Sequence, residues 1–258
     1  MMSLAETRFL SLVKKQFIYK WKTNTGFFIS MIIVQILALC LSFNGVMNSY
    51  TGNQWLSFSY STLTGDMIII FTMIWCLIIA GTLATANRRN SDFYHVSNRL
   101  TSNLANTLFL LTTSIVSGIS AVLGSVLLRV LFYAIHGTQF LSEGEAFRLP
   151  PRYLLLGIIV TVTYLWLLSA IGYLFGAIIQ FYRIFAIIIP AVIIGSLFYF
   201  NTVGITVAGD EHVSFIRQLW NFYTSESTLW LFMLKSLLTT GLLFAVTALM
   251  TNRMEVRK

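Results

Sequence analysis

The chain has 258 residues, of which 57% are hydrophobic and only 10% are charged, and its mean hydropathy is +0.78. Soluble domains carry roughly 25% charged and about 45–50% apolar residues, so this composition excludes an ordinary water-soluble domain. Only two cysteines are present, Cys40 and Cys76, and both lie inside apolar runs. That placement excludes a disulfide framework and the usual zinc-site spacings.

The first segment, residues 4–22, has the pattern of an amphipathic helix. Phe9, Val13, Phe17 and Trp21 recur at every fourth position, and the lysines fall mostly elsewhere on the helix. Lysines continue throughout the segment, which argues against a cleavable signal peptide. We predict a helix in the headgroup layer, with its cations toward anionic lipid. The alternative is a soluble cytoplasmic helix.

Six apolar runs follow that are long enough to cross a bilayer, which takes about 20 helical residues. They cover residues 26–43, 67–86, 104–135, 153–179, 184–200 and 228–250. The polar residues 180–183 are the only break between the fourth and fifth runs and predict a tight hairpin. The third run exceeds the hydrocarbon thickness, so it must tilt or protrude. The sequence therefore predicts an all-α membrane protein, with one transmembrane domain over residues 1–258.

The positive charges predict the orientation of the spans. Of the 17 Lys and Arg residues, 12 fall on the side of the spans that also holds both termini. Three fall on the opposite side, together with most of the acidic residues. Positive loops stay cytoplasmic, so both termini are predicted to be cytoplasmic in a multi-pass plasma-membrane protein. The net charge of +8 is then a topology signal, and we expect no nucleic-acid partner.

The segment between the fifth and sixth runs has an apolar helical face on the outer side. Its members are spaced at helical intervals and are His212, Ile216, Leu219, Trp220 and Tyr223. We predict a short external helix that dips into the outer leaflet. A plain solvated loop is the alternative.

Catalytic motifs are missing from the sequence. It contains no His-Glu-x-x-His, no Gly-x-Ser-x-Gly and no phosphate-binding P-loop, and its three histidines are far apart. We therefore expect no catalytic, cofactor-binding or metal-binding residue in this chain. A polytopic intramembrane enzyme would have to bring together polar span residues such as Gln35, Asn106 and Thr163. A secondary transporter would need carboxylates inside its spans, which are lacking here.

Four residues inside the spans suggest packing or gating roles. Gly172 and Gly176 form a small-residue stripe on the fourth span, suited to close helix packing within one chain or between two chains. Pro190 lies in the middle of the fifth span and predicts a bend, or a gate. Lys235 lies about two turns into the sixth span. Its charge either snorkels to the interface or lines a cavity, paired with an acid such as Asp66 or Glu226.

The loop after the second span, residues 87–103, mixes arginines with aromatic residues. It reads Asn87-Arg88-Arg89-Asn90-Ser91-Asp92-Phe93-Tyr94-His95-Val96-Ser97-Asn98-Arg99-Leu100 and then leads into the third span. Arginine and aromatic residues are enriched at protein interfaces. The loop is therefore either a protein-docking segment or simply a positive-inside signal.

The order of these elements resembles the ABC type-2 permease family, the membrane halves of exporters driven by a separate ATPase. The resemblance covers the whole chain: the amphipathic N-terminal helix, the basic loop, the dipping external segment and the basic tail Asn252-Arg253-Met254-Glu255-Val256-Arg257-Lys258. The sequence from Phe93 to Leu100 is similar to the coupling-helix region of small Gram-positive members of this family. The acidic residue often found in the family's N-terminal helix has only Glu6 as a counterpart here.

The resemblance implies a transport subunit with partners. Two permease chains, identical or homologous, would bind two ATPase subunits, which hold the ATP and Mg²⁺. The coupling contacts would be Arg88, Arg89, Phe93, Tyr94 and Arg99, docked in a groove of the ATPase. The cargo would be amphipathic or hydrophobic, such as a peptide, an antimicrobial compound or a lipid-linked molecule. It would pass between the two chains along the first, second and fifth spans.

Overall fold

The computed structural model describes residues 9–43, 47–53, 56–62, 65–85, 99–136, 151–181, 184, 188, 191 and 229–253. Over these ranges the chain forms six helices and one β-hairpin. The helices are α1 (Phe9–Thr23), α2 (Thr25–Phe43), α3 (Asp66–Leu83), α4 (Arg99–His136), α5 (Pro151–Phe181) and α6 (Leu229–Arg253), and the strands are β1 (Met47–Asn53) and β2 (Leu56–Thr62).

Helices α2 to α6 are each long and apolar enough to cross a membrane, so they fit a membrane-spanning protein. They coincide with the first, second, third, fourth and sixth predicted runs. Helix α5 ends at Phe181, within the polar break predicted after the fourth run. The fifth run lies outside the described residues except for three positions, so the six-span count stays a prediction.

The segment between α2 and α3 forms a hairpin that the sequence analysis does not predict. Strands β1 and β2 pair antiparallel, with Met47 opposite Thr62 and Asn53 opposite Leu56. The segment is rich in Ser, Thr and aromatic residues, and Thr and aromatics favour strands. Two residues separate the strands, as in a tight hairpin. The hairpin lies between α2 and α3 in the chain.

Helix α4 is the centre of the bundle and contacts each of the other five described helices. Helices α2, α3, α5 and α6 form a row in which each contacts the next, and α4 packs along that row. With 38 residues, α4 is about 57 Å long at 1.5 Å per residue, against a hydrocarbon core of about 30 Å. Helix α4 is therefore long enough to extend beyond a hydrocarbon core, and the N-terminal end of α4 contacts α1.

The glycine stripe of α5 packs against α3 within the same chain. A Cβ added at Gly172 would lie 2.3 Å from the carbonyl oxygen of Leu77, and one at Gly176 would lie 2.4 Å from that of Gly81. Both obstacles are backbone atoms, which cannot rotate away. The two glycines therefore let the α3 and α5 backbones approach more closely than any side chain would permit.

We predict that Gly176→Ala destabilises the chain, whereas Gly241→Ala does not. The new methyl at position 176 would overlap α3, and such overpacking costs about 1–3 kcal/mol. Gly241 is an exposed glycine on α6 with nothing within 4 Å of its added Cβ, so it is the matched control. The melting temperatures of the purified variants, followed by size-exclusion chromatography after heating, measure the difference. Equal melting temperatures for the two variants would contradict the packing account.

Candidate functional site

Most buried hydroxyl groups in the helices bond to their own helix. Thr113, Ser114 and Thr247, for example, each donate to the carbonyl four residues earlier. Such a hydroxyl group has its hydrogen-bond partner within its own helix and needs none on a neighbouring helix. Polar side chains that bond across helices are therefore the informative ones.

Lys20 is such a side chain, and it is buried with only 3% of its surface exposed. Its Nζ donates to Asn106 Oδ1, and it also lies 3.4 Å from Ser102 Oγ. Both acceptors belong to the first turns of α4. Because a buried ammonium is costly unless it is hydrogen-bonded, these two acceptors hold α1 firmly against α4.

The bonds continue from Asn106 to two further helices. Asn106 Nδ2 donates to Tyr173 Oη on α5 at 3.0 Å, and Tyr173 Oη donates to Asn103 Oδ1 at 3.0 Å. Asn103 Nδ2 in turn donates to Thr251 Oγ1 on α6 at 2.8 Å. We call Lys20, Ser102, Asn103, Asn106, Tyr173 and Thr251 the Lys20 network. It joins α1, α4, α5 and α6 at one end of the bundle.

Lys20 is buried because of its position on the α1 helix. Val13, Lys20 and Asn24 lie seven and four residues apart, on one helical face, and all three are buried. Asn24 Nδ2 also donates to the Lys20 carbonyl at 2.9 Å, where α1 ends and α2 begins. In the sequence, Lys20 counts only as one of the positive charges on the side that holds both termini. Its spacing from Val13 is the signal that separates it from the exposed Lys14, Lys15 and Lys22.

Aromatic rings pack beside the network and fix the corner between α1 and α2. Phe109, one turn after Asn106 on α4, is fully buried. The ring of Trp21 lies 6.3 Å from Phe109 and 4.8 Å from Phe28, centroid to centroid. Such pairs add to the stability from buried area alone. The corner is therefore held by an apolar contact next to the polar one.

The network lies where the predicted docking loop joins the bundle. Helix α3 ends at Leu83 and α4 begins at Arg99. Ser102 and Asn103, the last two residues of the predicted loop, lie in the first turns of α4. These residues bond to α1, α5 and α6, so the network lies at the end of α4 that follows the loop in sequence.

The three polar span residues of the enzyme alternative do not meet in one place. Asn106 belongs to the Lys20 network, while Gln35 bonds to Thr72 and Ser120 farther along the bundle. Thr163 donates to the carbonyl of Ile159 in its own helix. These three residues therefore do not form one catalytic set.

The remaining predicted residues are placed as follows. Arg88, Arg89, Phe93, Tyr94 and Pro190 lie outside the described residues, as do Glu226 and the external segment between the fifth and sixth runs. Arg99 is the first residue of α4. Lys235 is half-buried on α6, while Asp66, one of its two predicted partners, is exposed at the start of α3. Within the described ranges, no three His, Cys, Asp or Glu residues group as metal ligands.

No family model, curated protein or solved structure matches the chain.

We predict that Lys20→Met destabilises the chain by about 1–3 kcal/mol, because it leaves the Asn106 carbonyl without its donor. Lys22→Met is the matched control, since Lys22 is exposed on the same helix. The double variant Lys20→Met/Asn106→Leu should lose less than the sum of the two single losses, because the residues are in contact. Thermal unfolding of the wild type, the two single variants, the double variant and the Lys22→Met control, all in one detergent, measures these differences. Additive losses would show that the contact contributes nothing.

Proposed function

We propose that the chain is the transmembrane subunit of an ATP-binding cassette exporter and has no catalysis of its own. The observation that carries the proposal is the Lys20 network, which links four helices at the end where the basic loop joins α4. A motor that pulls on the loop would act on a connected set of helices. Because the loop resembles a coupling helix, the protein proposed to act on it is a separate ATPase.

The coupling contacts in this proposal are Arg88, Arg89, Phe93, Tyr94 and Arg99. Their docking transmits the closure of the ATPase to the first turn of α4. The ATPase can shift the permease only if it binds two of its conformations with different affinity. ATP and Mg²⁺ stay on the ATPase, since this sequence has no P-loop.

Membrane lipid is a further partner, at α1. Leu10, Ile18 and Trp21 are exposed on α1, whereas Val13 and Lys20 are buried, and α1 packs on α4. Lys15 and Lys22 are exposed as well. Such a helix fits the headgroup layer, with its exposed apolar side chains toward the acyl chains and its lysines toward lipid phosphates.

The proposed cargo is amphipathic or hydrophobic: a peptide, an antimicrobial compound or a lipid-linked molecule. The support is the apolar character of the spans, which carry few charged groups. Two chains, identical or homologous, would enclose the path. A secondary transporter or an intramembrane enzyme would instead act without ATP.

We propose that α1 and both termini lie on the cytoplasmic side of the membrane. In cysteine-free protein, with Cys40 and Cys76 replaced by Ser, Lys22→Cys should react with a membrane-impermeant maleimide only after the cells are permeabilised. Asn48→Cys, in strand β1 between α2 and α3, should react in intact cells. Labelling of Lys22→Cys in intact cells would reverse the assignment.

We expect a P-loop ATPase to co-purify with the chain from its native host in mild detergent. Phe93→Ala or Arg99→Glu should abolish this association, because each removes a docking contact. Arg152→Glu, on the opposite side of the membrane, is the matched control and should retain the ATPase. The readout is the ratio of ATPase to permease after purification. A chain that purifies alone and transports or hydrolyses without ATP would refute the exporter.

A further inference from the structure

The side-chain hydrogen bonds of the Lys20 network form one continuous chain from α1 to α6. Lys20 Nζ bonds to Asn106 Oδ1, and Asn106 Nδ2 lies 3.0 Å from Tyr173 Oη. Tyr173 Oη lies 3.0 Å from Asn103 Oδ1, and Asn103 Nδ2 lies 2.8 Å from Thr251 Oγ1. Lys20 and Thr251 are therefore the two ends of the chain, with three residues between them.

The Lys20 end determines the direction in which the hydrogen bonds are donated. An ammonium group only donates hydrogen bonds, so Asn106 must present its Oδ1 to Lys20. Its Nδ2 is then left to donate to Tyr173. A phenol has a single proton, and that of Tyr173 goes to Asn103 Oδ1. Any further hydrogen bond of Lys20 is also a donation and leaves this direction unchanged.

The Thr251 end favours the same direction. The hydroxyl proton of Thr251 goes to its own helix, where the carbonyl oxygens of Thr247 and Ala248 lie 2.9 and 3.0 Å from Oγ1. The Thr251 oxygen is then the acceptor for Asn103 Nδ2. Both ends thus agree, and every bond of the chain is donated from the α1 side toward α6.

We propose that the Lys20 network is a one-way chain of hydrogen bonds, through which the contact of α1 with α4 fixes the orientation of the Asn103 amide against α6. Hydrogen bonds in such a chain polarise one another, and their energies are not a sum of separate pairs. Lys20 on α1 and Thr251 on α6 therefore affect each other's contribution to stability. This inference goes beyond the exporter and requires no ATPase.

The direction of the chain decides which atom of Asn103 faces Thr251. With Lys20 in place this atom is Nδ2, so Thr251→Val leaves an N–H group without its acceptor. Without Lys20, Asn106 is free to turn its amide and accept from Tyr173, which allows the chain to run in the opposite direction. Asn103 then presents Oδ1 to position 251. A buried N–H group without a partner is rarer in proteins than an under-satisfied carbonyl oxygen, so Thr251→Val costs less when Lys20 is absent.

Unfolding of the purified full chain tests this dependence. The wild type, Lys20→Met, Thr251→Val and the double variant are unfolded in mixtures of dodecyl maltoside and dodecyl sulfate, and unfolding is followed by tryptophan fluorescence. We expect Thr251→Val to raise the unfolding equilibrium constant about threefold more in the wild-type background than in the Lys20→Met background, as coupled residues do.

Tyr173→Phe tests whether the dependence passes through the chain. This variant keeps the ring, whose centroid lies 5.9 Å from that of Phe244, and removes the hydroxyl group between the two asparagines. The two amides then orient independently. In the Tyr173→Phe background, Thr251→Val should therefore have the same effect with Lys20 as with Lys20→Met.

Thr247→Val is the matched control on α6. Thr247 is buried one turn before Thr251, and its hydroxyl donates to the carbonyl of Leu243 in its own helix. Its replacement should have the same effect with and without Lys20. Lys20→Gln serves if Lys20→Met does not fold, because an amide both donates and accepts and so also frees the direction of the chain.

Two results would overturn the proposal: an equal effect of Thr251→Val with and without Lys20, or a difference that persists in the Tyr173→Phe background. The ATPase is absent from these measurements. If the ATPase fails to co-purify but the threefold difference is found, the exporter is refuted and the one-way chain stands. If the ATPase co-purifies and the difference is missing, the exporter stands and the one-way chain is refuted.

Discussion

The Lys20 ammonium, buried against Asn106 and Ser102, is the interaction on which the arrangement of the N-terminal half depends. Few charges lie within this chain's apolar core, and a buried charge needs partners that water can no longer provide. The first turns of α4 supply these partners, which brings α1 onto the bundle. In the same part of α4, Asn103 bonds to Thr251 of α6 and Asn106 bonds to Tyr173 of α5. Lys20 thus joins α1 to the same part of α4 that bonds to α5 and α6.

The rest of the bundle is held by contacts of a different kind. Helices α3 and α5 meet backbone to backbone at Gly172 and Gly176, where any side chain would overlap carbonyl oxygens. Close packing of this type resists shape change, because interiors have little free volume. The bundle therefore combines a closely packed α3–α5 pair with a hydrogen-bonded connection at the end proposed to meet the ATPase.

Five of the predicted apolar runs correspond to helices because length and hydropathy are local properties of the chain. The third run begins at residue 104, but α4 begins at Arg99. Its first turns are polar, and their role depends on Lys20, which is 86 residues away from Asn106 in sequence. A hydrogen bond between residues so far apart in sequence cannot be predicted from a local sequence pattern. The glycine stripe was predicted, but its partner α3 was not, since small residues suit any close neighbour.

The Lys20 network connects α1 through α4 to the C-terminal end of α6, and it should hold these helices as one body. Spin labels at Lys15→Cys and Leu249→Cys, both exposed positions, would report the distance between these helices by pulsed electron paramagnetic resonance. The cysteine-free chain in nanodiscs should give a single narrow distance distribution, and Lys20→Met should broaden it. A broad distribution in the parent chain, or an unchanged narrow one in Lys20→Met, would contradict the account.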